Sequence, residues 1–269
     1  MPEWPEINLM AGQMNRELKS KTVQSVEVFQ EKCLNRPLKQ FRQMLLGKSI
    51  VGVSPLGKWI CIQLTDHYRF FINLGMGGEL IYFNSGDRFP EKSKIIVTFS
   101  DGSGFYGTLW WFGYFHIVNG KESHPMTDSL GPDPMCMTQK EFYNLLRERR
   151  GQIKSFLLNQ KRIRGIGNFY IQEILYKAGL HPCRSILTLT DLEIEQLYSA
   201  IHTVLSESLR LETSSYELDF YGKKGRYNVS NMAFAYQENG CCPACQTKTE
   251  KIRTGSTAQY ICPVCQKLK

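Results

Sequence analysis

Four cysteines constrain this chain more than any other feature. Cys242-Pro243-Ala244-Cys245 and Cys262-Pro263-Val264-Cys265 make two C-x2-C turns with sixteen residues between them. This spacing suits a four-thiolate zinc site, because each turn offers two sulfurs to one tetrahedral ion and a hairpin brings the pairs together. A redox pair is the competing explanation, and two motifs at this distance fit it poorly. Cys241 adjoins the first turn, but Cys242 alone gives the x2 spacing. A closed four-sulfur site is structural, so one structural zinc ion is expected, holding a hairpin whose Lys251 and Arg253 face phosphate. Cys33, Cys61, Cys136 and Cys183 are scattered and read as core thiols.

The rest of the composition is that of a basic globular protein. The 269 residues are 42% hydrophobic and carry a formal net charge of +8. Such a balance suits a polyanionic partner, whose phosphates Lys and Arg neutralise; on charge alone, a soluble basic protein fits as well. No run is long and apolar enough to span a membrane. The start, Met1-Pro2-Glu3-Trp4-Pro5-Glu6, lacks the charge and apolar stretch of a signal peptide. An intracellular, cytoplasmic and nucleoid-associated monomer is expected, in surroundings where thiols stay reduced.

Three regions follow from the pattern. After Pro5, Ile7, Met10, Met14 and Leu18 recur at the spacing of one buried helix face. A strand over 22–29 and a short helix around Leu38, Phe41 and Leu45 come next, the helix closed by Gly47. Short β-branched and aromatic runs then alternate with turn residues: 59–64, 70–73, 80–83, 94–100, 105–110 and 114–118. Strands so spaced predict a sandwich or barrel. Leu130-Gly131-Pro132-Asp133-Pro134 marks a boundary, and the pattern beyond it is helical. Thr138 caps a helix running to about Arg150, a second covers 168–179, and the capping box Thr190-Asp191-Leu192-Glu193 opens a third to about Leu211. The fold class is α+β: an N-terminal β-sandwich with flanking helices over 1–129, a helical domain over 130–225, and a linker or insert with a zinc-finger hairpin over 226–269.

Arg162-Ile163-Arg164-Gly165-Ile166-Gly167-Asn168 joins two helical segments through a Gly-x-Gly turn. Exposed amides at a helix start suit a phosphate, and the arginines add attraction; an ordinary glycine turn explains the same residues equally well. No strand precedes it, which argues against a dinucleotide-binding reading.

Several motifs coincide in order. The opening Met1-Pro2-Glu3-Trp4-Pro5-Glu6 is followed by Gly57-Lys58-Trp59, Leu74-Gly75-Met76-Gly77-Gly78 and Phe112-Gly113. Then come Leu130 to Pro134, Gly165 to Asn168 with Glu173-Ile174-Leu175, Tyr221-Gly222-Lys223-Lys224-Gly225 and the cysteine-rich end. Together they resemble the formamidopyrimidine-DNA glycosylase/endonuclease VIII family, a helix-two-turn-helix group, over essentially the whole chain. The resemblance implies a base-excision-repair DNA glycosylase with AP lyase activity, acting on double-stranded DNA with damaged bases or abasic sites. A non-enzymatic binder of damaged or distorted DNA on the same scaffold is the alternative. The resemblance further implies that Met1 is removed and that Pro2 becomes the nucleophile, with Glu3 moving protons to and from the opening sugar. The chemistry suits an N-terminal amine: with a pKa near 7.7, roughly a third of it is neutral at cytosolic pH, against about 0.1% of a lysine. The bland reading of Pro2 and Glu3 is a helix start. By the same resemblance Lys58 belongs to the catalytic group and grips phosphate with Asn168. Met76 and Phe112 fill the gap in the base stack, with Trp110 able to stack as a wedge, and Glu6, Lys154 and Arg253 complete the DNA-contacting set. Core packing is the alternative for Met76 and Phe112, and the glycines around Met76 favour an exposed loop.

The chain departs from that pattern in places. Where 8-oxoguanine-specific members carry Arg-Arg-Phe-Gly, it has Trp110-Trp111-Phe112-Gly113. Trp110 can stack but cannot make a bidentate contact to a base, so preference for cytosine opposite the lesion does not carry over. Asn73 replaces a histidine, and Thr257 stands where a finger arginine is expected, with Arg253 the candidate replacement. The stretch 226–240 reads as extra, where the family has a mobile lesion-capping loop.

Overall fold

Proline and apolar spacing start the first element. The computed structural model of the chain describes residues 1–87, 89–147, 149–237, 240–255 and 257–268. Helix α1 runs Trp4–Leu18 with Pro5 in its first turn, where a missing N–H costs nothing. The face expected from the spacing is the buried one: Ile7, Met10, Met14 and Leu18 are at most 1% exposed. There follow β1 (Val23–Val28), α2 (Leu38–Leu45), β2 (Ile50–Leu56), β3 (Trp59–Leu64), β4 (Arg69–Asn73), β5 (Glu79–Phe83), β6 (Ile95–Phe99), β7 (Gly104–Thr108), β8 (Tyr114–Val118) and the short α3 (Pro125–Asp128).

These strands form two four-stranded antiparallel sheets, ordered β1-β6-β7-β5 and β2-β3-β4-β8. One apolar cluster joins them, with Ile60, Phe70 and Phe115 from one sheet and Val97, Phe99 and Phe105 from the other. The sheets approach closely at Gly107, where a Cβ would stand 2.6 Å from the Phe115 ring. The sandwich expectation holds. Strand β2 is absent from the expected runs because Gly52 and Pro55 read as breakers. It lies at a sheet edge, where a proline without an N–H is tolerated.

The chain divides into two compact units, Met1–Ser129 with Glu212–Gly225, and Leu130–Leu211 with Arg226–Lys269. Residues 212–225 therefore join the first unit, not the helical region. Phe220 is fully buried in the sandwich core. Its amide donates to Gln13 Oε1 (2.9 Å), Gln13 Nε2 donates to Asp219 (2.8 Å), and the Tyr82 amide donates to the Phe220 carbonyl (2.8 Å).

In the second unit the helices are α4 (Gln139–Leu146), α5 (Ile153–Leu158), α6 (Ile171–Lys177) and α7 (Asp191–Arg210), followed by the hairpin β9 (Glu250–Thr254) and β10 (Thr257–Ile261). Thr138 and Thr190 cap α4 and α7 through capping boxes with Glu141 and Glu193. Helix α4 stops at Leu146, short of Arg150, because no apolar residue follows until Ile153 to hold another turn on the core. Helix α6 starts at Ile171 and not at Asn168, which stays in the preceding turn. The stretch 226–237 is packed: Tyr227, Met232, Phe234 and Ala235 are buried, and Phe234 meets Tyr176 edge-on at 4.7 Å. Glu238 and Asn239 lie outside the described residues. Among the described residues, no helix is long and apolar enough to cross a membrane.

Two buried histidines couple the sandwich to pH. His116 Nδ1 and His124 Nε2 share a hydrogen bond of 2.9 Å, and His124 lies flat on Phe71 at 4.4 Å. Burial, then the charge of His124, pushes His116 down to about 4; burial also lowers His124. Unfolded imidazoles near 6.5 bind more protons than this folded pair below that pH. The contribution to stability is thus complete above pH 6.5 and is lost as pH falls toward 4. Urea midpoints should drop over this window, and the drop should shrink in a His116→Phe/His124→Phe double variant. An unchanged slope would place the acid sensitivity elsewhere.

Candidate active site and metal centre

The N-terminal residues are fixed by a buried carboxylate. Glu3 is the N-cap of α1, and its amide donates to Glu6 Oε2 at 3.0 Å. The other Glu6 oxygen accepts from the Ser214 amide at 3.2 Å. Glu6 is 4% exposed and Glu3 5%, both beside the positive end of a helix, which favours anions. Glu6, expected among DNA contacts, therefore lies below the surface and braces Glu3 against the 212–225 segment. Pro2 is buried. Met1 is 43% exposed, and its amine pairs with Glu217 at 3.0 Å.

A second group lies in the same unit. Half-buried Lys58 occupies the β2–β3 turn. Asn73 Nδ2 donates to the Lys58 carbonyl (2.8 Å), and Asn73 Oδ1 accepts from the Gly75 amide (3.0 Å). The Met76 amide then donates to the Trp111 carbonyl (3.0 Å). One side chain thus ties the Lys58 turn to loop 74–78, and one backbone bond ties that loop to 109–113. Gly75 has φ +58°, and a Cβ there would lie 1.9 Å from the Trp111 oxygen, so only glycine fits. Phe112 holds a left-handed φ of +56°, a strained setting that costs on the order of 1–3 kcal/mol. Met76, Trp110, Trp111 and Phe112 all project from the surface.

In the second unit, Gln160 clamps the Gly-x-Gly turn. Its oxygen accepts from the Gly165 amide (2.8 Å), and its nitrogen donates to the Ile166 carbonyl (2.9 Å). Asn168 is exposed, and its carbonyl accepts from Tyr236 Oη at 2.9 Å. Lys154, also expected at DNA, is 4% exposed. Its Nζ donates to Thr254 (2.5 Å) and Thr257 (3.0 Å), and burial lowers its pKa. It anchors the β9–β10 turn, and Thr257 is one of its acceptors. Arg253 is exposed on β9.

The four expected sulfurs converge. Sγ atoms of Cys242, Cys245, Cys262 and Cys265 lie within 4.8 Å of one another, with pairs at 3.4, 3.6 and 3.8 Å. Four sulfurs at about 2.3 Å from one tetrahedral ion stand about 3.8 Å apart, so the cluster fits a metal ion. Cys241 is exposed and outside the cluster. Cys33 and Cys61 are buried, and burial raises both thiols to about 11. Cys136 is exposed and Cys183 half-buried, so these two are not core thiols: they lie in turns of the second unit.

Ser214, Glu217, Gln160 and Tyr236 carry no local sequence signal. Only the chain reversal that returns 212–225 to the sandwich brings Ser214 and Glu217 to the N-terminus.

Comparison with known proteins covers both units. The formamidopyrimidine-DNA glycosylase N-terminal domain matches residues 1–107, and the formamidopyrimidine-DNA glycosylase H2TH domain matches residues 130–219. A formamidopyrimidine-DNA glycosylase of Pelotomaculum thermopropionicum is 30% identical over 277 residues, covering all of both chains. One from Lactococcus lactis subsp. cremoris is 26% identical over 99% of each. Among solved structures, the Lactococcus lactis Fpg bound to DNA containing N7-benzyl-Fapy-dG superposes with a TM-score of 0.87 at 25% identity. That match covers 99% of this chain and 100% of the other. The Lactococcus lactis Fpg complex with abasic-site DNA gives the same score at 25% identity, over 98% and 99%.

Asn73 generates a direct test. Asn73→Ala leaves the Lys58 carbonyl and the Gly75 amide without that partner, at a cost of about 1–3 kcal/mol. Hydrogen exchange at Gly75 and Met76 should accelerate while α7 stays protected; unchanged exchange at both would show that the brace is dispensable.

Proposed function

The chain belongs to the formamidopyrimidine-DNA glycosylase family, and from that premise we propose that it is a bifunctional DNA glycosylase and AP lyase. Its substrate is double-stranded DNA holding a damaged base or an abasic site. One observation carries the reading: a proline at position 2 followed by a buried glutamate whose amide is pinned by Glu6, in a chain that aligns end to end with named glycosylases.

Removal of the exposed Met1 frees the secondary amine of Pro2. Its lone pair attacks C1′ of the damaged nucleotide. The N–C1′ bond forms as the bond from C1′ to the base breaks, and the base leaves with that electron pair and takes up a proton. Glu3 gives a proton to the ring oxygen as the sugar opens to the cationic iminium. Loss of a C2′ proton then expels the 3′-phosphate and cuts the strand. Lys58 faces phosphate beside the extruded nucleotide, as does Asn168; Met76 and Phe112 occupy the stack the nucleotide leaves, and Trp110 stacks beside them. Flipping costs a few kcal/mol, and restacking offsets part of it. Glu6 holds Glu3, and Lys154 holds the hairpin that presents Arg253 to the backbone.

The resident metal of this reading is one zinc ion on Cys242, Cys245, Cys262 and Cys265. Its part is structural, since four thiolates leave no open position.

Borohydride trapping on abasic-site DNA tests the chemistry. A covalent adduct is expected with the processed chain, a large drop with Pro2→Gly, and none when the terminus is blocked by a retained tag. Full trapping with a blocked terminus would move the nucleophile elsewhere, Lys58 first. Glu3→Gln should abolish excision of a damaged base and spare much of the trapping at a preformed abasic site.

Metal analysis should find one zinc per chain, and none in Cys262→Ser. That variant should bind DNA more weakly while the sandwich core stays folded. Fresh protein without zinc would refute the assignment.

A further inference from the structure

Loops 74–78 and 109–113 expose more aromatic surface than a plug for one vacated position needs. Trp110, Trp111 and Phe112 are 75%, 61% and 66% exposed, and Met76 is 48%. Trp110 is the most exposed large apolar side chain among the described residues. Leaving such side chains in water forgoes about 1.5–3 kcal/mol each, so the fold does not gain from them. Nor are they loosely held: Asn73 and the bond from the Met76 amide to Trp111 fix both loops. Gly75 admits the Trp111 backbone where no other residue fits.

The chemistry of these loops is one-sided. Residues 74–78 read Leu-Gly-Met-Gly-Gly and 109–113 read Leu-Trp-Trp-Phe-Gly. Their only strong side-chain hydrogen-bonding groups are two indole N–H donors, and an indole accepts nothing. A surface of this kind holds a base by its face and cannot read its edge, which takes a paired donor and acceptor. Every base has such a face, and stacking is tolerant of sequence.

We infer that Trp110 binds, by stacking, the base left unpaired opposite the lesion, while Met76 and Phe112 fill the vacated position. The substrate class follows: damaged nucleotides opposite any of the four bases, mispaired positions included. This inference rests on the glycosylase reading above, and its test separates the two.

The probe is a duplex with a tetrahydrofuran abasic analogue placed opposite C, A, G, T or a second baseless site. Dissociation constants are measured at one fixed salt concentration, with borohydride trapping on true abasic DNA run in parallel. The four bases should bind within about threefold of one another. The baseless partner should bind about 5- to 150-fold more weakly, the equivalent of one stacked base. Trp110→Ala should bring all four to that weaker level, and Trp110→Phe should recover part of the loss. Trp110 is exposed, so neither change disturbs the core. One opposite base preferred by more than about thirtyfold, or a Trp110→Ala without effect, overturns the inference. Trapping with a steep opposite-base preference would keep the enzyme and remove the platform. Even binding without trapping would keep the platform and remove the enzyme.

Discussion

A single buried carboxylate holds the start of this chain in place. Glu6 accepts from the Glu3 amide with one oxygen and from the Ser214 amide with the other. A carboxylate removed from water is tolerated only when its oxygens are satisfied. Here the satisfying groups are two backbone amides far apart in the chain, at the end of a helix that favours negative charge. The position of Glu3 is therefore set by a segment that returns from the helical region. Phe220, sunk in the sandwich core, anchors that returning segment.

Much of this was legible in the sequence where a periodic pattern met a single environment. The buried face of α1, the strand runs from Trp59 to Val118 and the capping boxes at Thr138 and Thr190 are local signals that tertiary packing reinforces. The cysteine cluster was legible because metal ligation needs only residue type and spacing. Strand β2 was hidden because Pro55 is penalised only in a central strand. The end of α4 was overrun because charged residues are good helix formers, and only the missing apolar contact stops them. The burial of Glu6 and Lys154 was out of reach, since each is satisfied by partners distant in sequence. So was the true allegiance of 212–225, whose apolar anchor, Phe220, looks like any loop aromatic until the core accepts it.

Two departures from the family pattern, Asn73 and Thr257, fall at positions with evident local partners. Asn73 spans from the Lys58 carbonyl to the Gly75 amide with one short side chain that both donates and accepts. Thr257 receives the Lys154 amine. Trp110 and Trp111 stand on a loop tied to 74–78 by the bond from the Met76 amide to the Trp111 carbonyl. At Asn73 and Thr257 a changed residue is matched by a contact that suits it, so these two substitutions do not read as decay of an unused scaffold.

Lys154 has a consequence for how the finger is to be regarded. In the sequence the four cysteines look like a cassette that metal alone would fold. In the structure the hairpin turn is latched by a desolvated amine from α5 to Thr254 and Thr257. Gln172 on α6 meets the Tyr260 amide, and Gln266 donates to the Leu180 carbonyl. Hairpin and helices are thus one inheritable block. A finger grafted onto a foreign host without its lysine and its glutamine would bring the ion and lose its aim.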